Sequence, residues 1–167
     1  MDQKRAALLT ACCGAAIFIG VLMPWYSVSI EVPTGLEGRG GPWGQGLPSL
    51  NGTQGDFLGT PTLILGLAGG IAAALLRSGK TQGLPLNARQ LALASLGTMG
   101  LAALLTVIDV TSHGKGVSSG PMNAGKSFGI YLTLLATLAG TYGAWVLTRN
   151  TPDAPGSPPA SPPASPP

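Results

Sequence analysis

The chain has 167 residues, of which 45% are apolar and only 9% charged, with a formal net charge of +3. A water-soluble domain keeps about a quarter of its residues charged, so the composition excludes that class. The small, scattered positive excess, with no basic run interleaved with aromatics, excludes a nucleic-acid partner.

Four uncharged apolar stretches, Ala6–Met23, Phe57–Leu76, Leu91–Ile108 and Phe128–Leu147, predict membrane-spanning helices. At about 1.5 Å of rise per residue, each is long enough for a hydrocarbon layer of roughly 30 Å. The first follows Lys4 and Arg5, but its apolar core is longer than that of a secretory signal, and the small-x-small triplet Ser27-Val28-Ser29 lies beyond Pro24-Trp25-Tyr26. Leu9-Thr10-Ala11-Cys12 resembles a lipid-attachment box set too close to the basic start, inside an apolar run that continues past it. Adjacent residues of a helix point in different directions, so Cys12 and Cys13 read as packing residues and not as metal ligands. Neither outward loop contains a cysteine, so no disulfide framework is expected.

The first loop, residues 24–56, opens with strict alternation in Ser27-Val28-Ser29-Ile30-Glu31-Val32, which predicts a strand. Pro33-Thr34-Gly35 ends it, and the glycine-rich remainder carries Trp43, expected to pack on the strand or on a partner. Pro24-Trp25-Tyr26-Ser27-Val28-Ser29 and the later Gly41-Pro42-Trp43 resemble two elements of the claudin-like tetraspan proteins. In those proteins a Trp-containing strand follows helix one, and a second Trp sits in a Gly-containing motif. Claudins carry a disulfide pair after that second Trp, whereas this loop has none. The resemblance implies a helical bundle capped by a small outward β patch, lateral self-association, and Trp25 and Trp43 as contact residues of the outward loop.

In the second helix Gly66, Gly70 and Ala74 stand at i, i+4, i+8 beside Gly69 and Ala73, with Ile64, Leu67, Ile71 and Leu75 opposite. Close helix contact in lipid depends on small residues, so the first set predicts a packing face and the second a lipid-facing ridge. The third helix has small residues nearly all round, among them Ala92, Ala94, Ser95, Gly97, Gly100, Ala102 and Ala103, which predicts a central place in the bundle. Asp109 ends it at the outer boundary and is expected to be solvated. No Asp, Glu, Lys, Arg or His lies within the four apolar stretches, and Asp109 is the nearest candidate, so nothing suggests a proton relay or ion site at depth.

In the second outward loop, residues 109–127, His113 has no neighbouring ligand residues with which to build a metal or haem site. Gly120-Pro121-Met122-Asn123-Ala124-Gly125-Lys126-Ser127 satisfies the G-x-x-x-x-G-K-S phosphate-loop pattern letter for letter. Its context is wrong: a membrane helix precedes it, and no acidic magnesium ligand follows before the fourth membrane helix ends. Nucleotide binding is not expected; Ser127 is expected to cap the fourth helix and Lys126 to meet lipid headgroups. That helix places Ala136, Gly140 and Ala144 on one face beside Thr133, Thr137 and Thr141. Its threonines either line a polar path or return their hydroxyls to their own backbone, and packing is the favoured role.

From Thr151 the chain repeats Ser, Pro and Ala, a composition that builds no core and predicts an extended, solvated tail. Of nine Lys and Arg, six (Lys4, Arg5, Arg77, Lys80, Arg89, Arg149) fall in the first, third and fifth polar segments and three (Arg39, Lys115, Lys126) in the others. The positive-inside rule then makes both termini cytoplasmic. Trp25, Tyr26, Phe57, Phe128 and Tyr131 would mark the outer interface, and Trp145 and Tyr142 the inner one.

The expected fold is all-α: a four-transmembrane-helix bundle over residues 1–149 with a small β-containing outward loop, then a disordered tail over 150–167. The expected role is non-enzymatic and without cofactor, in a plasma or inner membrane. The chain would be an accessory or structural subunit, or a self-associating scaffold, whose partners are the lipid bilayer and a protein or a second copy. Its helix-packing residues would be Gly66, Gly70, Ala74, Ala136, Gly140 and Ala144. A claudin-like adhesion or barrier protein and a small channel or carrier are the alternatives.

Overall fold

The computed structural model describes residues 1–30, 50–53, 58–79, 86–112 and 122–151. Trp43, Phe57, His113, the last two residues of the expected strand and the tail from 152 lie outside them. The element order is α1 (Gln3–Leu22), β1 (Pro24–Ile30), β2 (Leu50–Asn51), α2 (Gly59–Ser78), α3 (Ala88–Ser112), β3 (Met122–Lys126) and α4 (Phe128–Asn150). All four helices are long and apolar enough to cross a membrane. All four run past the apolar stretches that announce them at one end or both, α3 by the most, reaching 25 residues. A helix continues past its greasy segment because its backbone groups still need partners near an interface.

The helix ends carry local signals. The Asp2 side chain accepts from the Arg5 backbone N–H at 2.9 Å, which caps α1. Gln90, three residues into α3, reaches back to the Asn87 N–H at 2.9 Å, one half of a capping box. Gly79 closes α2 in the left-handed conformation, φ 67°, which a side chain would oppose. Ser127 occupies the N-cap position of α4, but its side chain makes no capping bond. Its backbone N–H is taken instead by the Trp25 carbonyl at 2.7 Å.

The helices run antiparallel to their sequence neighbours and close a ring, with α1 between α4 and α2 and with α3 joining α2 to α4. α3 therefore has no more central place than the others, contrary to its small-residue content. One side of it buries Ala92, Ser95, Met99, Ala102, Ala103 and Thr106. The other exposes Leu93, Ala94, Gly97, Leu101 and Leu104.

At the end away from the termini, the three strands form one antiparallel sheet in the order β2-β1-β3. β1 is the strand expected from the alternation after Trp25, begun earlier at Pro24. β3 was not expected, because its Met-Asn-Ala-Gly-Lys sequence has no β-branched or aromatic residue. It is held by pairing, in a register running from Tyr26 opposite Lys126 to Ile30 opposite Met122.

The core has two layers. Near the sheet, Ile17, Val21, Trp25, Met99, Ile130 and Ala136 pack together. Toward the termini the layer is Ala6, Ala7, Ala73, Ala92, Val146 and Leu147. Small side chains dominate the second.

Candidate functional site

The helix contacts are built on missing side chains. A Cβ at Gly14 would lie 2.9 Å from the Gly70 Cα and 3.0 Å from the Gly66 carbonyl, so α1 and α2 touch backbone to backbone. Gly66 and Gly70 thus face α1. Gly69 turns toward α3, where the Ser95 hydroxyl donates to its carbonyl at 2.9 Å, a bond between helices. Ala74 is exposed and does not belong to this face, while Ala73 is fully buried. The reason is the helix period: at about 100° per residue, eight residues rotate roughly 80° out of line and seven only about 20°. On α4, Ala136, Gly140 and Ala144 are all buried. A Cβ at Gly140 would meet the Met99 sulfur at 3.0 Å and the Cys13 Cβ at 3.1 Å, so this helix packs on α3 and α1 together.

Thr133, Thr137 and Thr141 donate to the carbonyls of Gly129, Leu134 and Thr137 of their own helix, at 2.8, 2.9 and 2.8 Å. Thr10 and Thr106 do the same toward Ala6 and Ala102. Among the described residues no buried side-chain nitrogen or oxygen lacks a partner. These hydroxyls answer a lipid-compatible interior by satisfying themselves locally.

The sheet end concentrates the polar chemistry. Trp25 closes the end of α1 there, and Tyr26, Asp109 and Lys126, from three separate segments of the chain, meet at the end of α3. Trp25 is 2% exposed, and so is no freely presented contact residue at an interface. Its indole N–H donates to the Gly20 carbonyl at 2.9 Å, and the next carbonyl, Val21, accepts from the Gly52 N–H at 3.0 Å. Both belong to the last turn of α1, where carbonyls have no helical donor. The ring lies against Gly52, at which a Cβ would come within 2.6 Å of it. A Cβ at Gly59 would in turn strike the Gly52 carbonyl.

Asp109 is 2% exposed, where a solvated boundary residue was expected. Its carboxylate accepts from the Tyr26 hydroxyl at 3.1 Å. Lys126 donates through Nζ to the Val110 carbonyl, so its ammonium caps the C-terminal end of α3 and is not reserved for headgroups. Tyr26 and Lys126 are direct cross-strand partners, and opposed residues share one face of a sheet. That register aims both at the end of α3. Sequence reading missed this cluster because a carboxylate is covered here by two strands, one of them without a strand signal.

Five residues of the phosphate-loop motif lie in β3. Residues 122–126 pair one by one with β1 in extended conformation, whereas a phosphate cradle curls so that successive N–H groups converge.

At the opposite end the start of α1 meets the end of α4. The Gln3 side chain donates to the Thr151 hydroxyl at 3.2 Å, and that of Asn150 donates to the Met1 carbonyl at 3.0 Å. Lys4, Arg5, Arg77, Arg89 and Arg149 lie in the terminal turns of helices at this end. The Arg149 guanidinium stacks 4.0 Å over the exposed Trp145 ring, whose centroid is 6.0 Å from that of Tyr142. Phe128 and Tyr131 are exposed at the sheet end.

No family model, no curated protein and no solved structure matches the chain. The class is defined by its own features: a bundle of four membrane-length apolar helices with a three-stranded sheet over one end.

Proposed function

We propose that this chain is a non-enzymatic accessory or scaffold subunit of a membrane assembly, bound through the outward face of α3 to a partner helix or to a second copy. One observation carries the reading. Gly97 and Gly100 lie in mid-helix, and nothing stands within 4 Å of the Cβ that either would bear. A glycine costs a helix about 1 kcal/mol relative to alanine, and here no neighbour among the described residues uses the space. Ala94, Gly97, Leu101, Leu104 and Ile108 repeat at alternating spacings of three and four along the exposed side. That is the seam of a left-handed helix pair, with small residues where backbones approach.

The basic residues gathered beside both termini support a cytoplasmic position for that end, in a plasma or inner membrane, with the sheet outside. A channel or carrier is less favoured, because the α4 threonines that would line it spend their hydroxyls on their own backbone. An adhesion or barrier role through Trp25 is less favoured too, because its ring is buried and its N–H engaged.

Copurification in a mild detergent tests the proposal. The wild-type chain should carry a stoichiometric partner or a second copy, and Gly97→Leu with Gly100→Leu should abolish the association while each chain keeps its helical circular dichroism. A wild-type monomer that is monodisperse and alone would overturn it. Ion or solute flux lost in a Thr133→Val, Thr137→Val, Thr141→Val variant would favour the channel instead.

A further inference from the structure

Between the first turn of α1 and the last turn of α2 the bundle opens into a cleft of about 280 Å³. Its floor is apolar, made by Ala7 and Leu76, and its rim is polar, made by Gln3, Lys4, Arg77 and Ser78. The volume lies just below the range of about 300–1,000 Å³ typical of small-molecule sites. Lys4 and Arg77 are exposed, and the one salt bridge among the described residues, Asp2 with Arg5, uses neither. The two helix ends add opposite fractional charges of about one half each, which offset one another. The full charges of the two side chains therefore set the sign of the cleft. It lies where two membrane-length helices end, the level of lipid headgroups.

The geometry points to a binding site in this cleft for the headgroup of an anionic phospholipid. Lys4 and Arg77 take the phosphate, Arg77 with a planar fork that matches two of its oxygens and Lys4 as a point charge. The Gln3 amide, whose second N–H is left over from its bond to Thr151, stands beside them for the glycerol oxygens. Ala7 and Leu76 carry the inference from phosphate to phospholipid, since a soluble phosphate has no apolar part to set against them. Basic pockets between helix ends at a cytoplasmic surface hold anionic lipids by this combination. The inference is independent of the proposed contact along α3.

The test uses the purified full-length chain in a neutral detergent, with dioleoyl phosphatidylglycerol or dioleoyl phosphatidylcholine added and lipid retention read by native mass spectrometry. Phosphatidylglycerol should be retained at least tenfold more tightly than phosphatidylcholine. Lys4→Gln and Arg77→Gln, singly and together, should remove that preference without changing the melting temperature of the lipid-free protein. Arg149→Gln, at the same end but outside the cleft, should keep it. Equal losses in Arg149→Gln and Arg77→Gln would mean diffuse attraction to a basic surface and would overturn the site. So would equal retention of the two lipids, or displacement of phosphatidylglycerol by glycerol 3-phosphate at equal concentration. Should the double variant unfold, the two single variants and the conservative Arg77→Lys, expected to retain most binding, decide the matter alone.

Discussion

Trp25 and Asp109 show how single side chains close this fold. The Trp25 indole supplies a donor to a buried carbonyl at the last turn of α1 and at the same time fills the space over Gly52. Trp25→Phe keeps most of the ring but strands the Gly20 carbonyl; an unpaired buried acceptor costs about 1–3 kcal/mol. We predict a lower melting temperature in detergent for that variant, with helical content unchanged. Tyr26→Phe removes one donor from a buried carboxylate and is expected to destabilise by a similar 1–3 kcal/mol, whereas Asp109→Asn, which brings its own donors, should cost less than Asp109→Ala. If Tyr26→Phe melts with the wild type, the Tyr26–Asp109 bond contributes nothing to stability. Neither role was legible at the residue. Asp109 reads as a polar terminator of an apolar run, and its burial follows only once β1 and β3 lie over it.

Among the elements, two kinds of glycine look alike in sequence and differ in what surrounds them. At Gly14 any side chain meets the Gly70 backbone, which cannot give way as a flexible side chain does. We predict that Gly14→Val separates α1 from α2, with a loss beyond the 1–3 kcal/mol usual for overpacking, read as aggregation or a collapsed melting temperature. Gly97→Ala has open space and is expected to stabilise the isolated chain by up to about 1 kcal/mol. A destabilised Gly97→Ala would show that the outward face of α3 is already occupied within the chain. The i, i+4, i+8 pattern identifies Gly66 and Gly70 as contacts but overreaches at Ala74, where the helix has turned away from its neighbour. β3 was illegible for a different reason. Its residues have little strand propensity of their own, and a long-range partner, β1, supplies the pairing.

For the whole molecule, four antiparallel membrane-length helices bring the start of α1 and the end of α4 to one end and the sheet to the other. The predicted orientation is checked with single cysteines placed in a Cys12→Ala, Cys13→Ala background. Asn51→Cys beside the sheet should react with an impermeant reagent in intact cells, and Ser78→Cys near the termini only after the membrane is opened. The reverse pattern would invert the topology and carry the lipid cleft to the outer leaflet. Taken alone, the sequence determined the four membrane-length helices, the presence of a strand soon after α1, and the glycine contacts nearest the middle of α2 and α4. These are local properties, since apolar length, alternation and small-residue spacing are read within twenty residues of chain. The tertiary structure alone decided that α3 has an open side among the described residues, that Ala74 faces outward, that residues 122–126 form an edge strand, and that Tyr26, Asp109 and Lys126 meet. Each depends on which distant segment lies across a helix end, and a one-dimensional pattern carries no record of that neighbour.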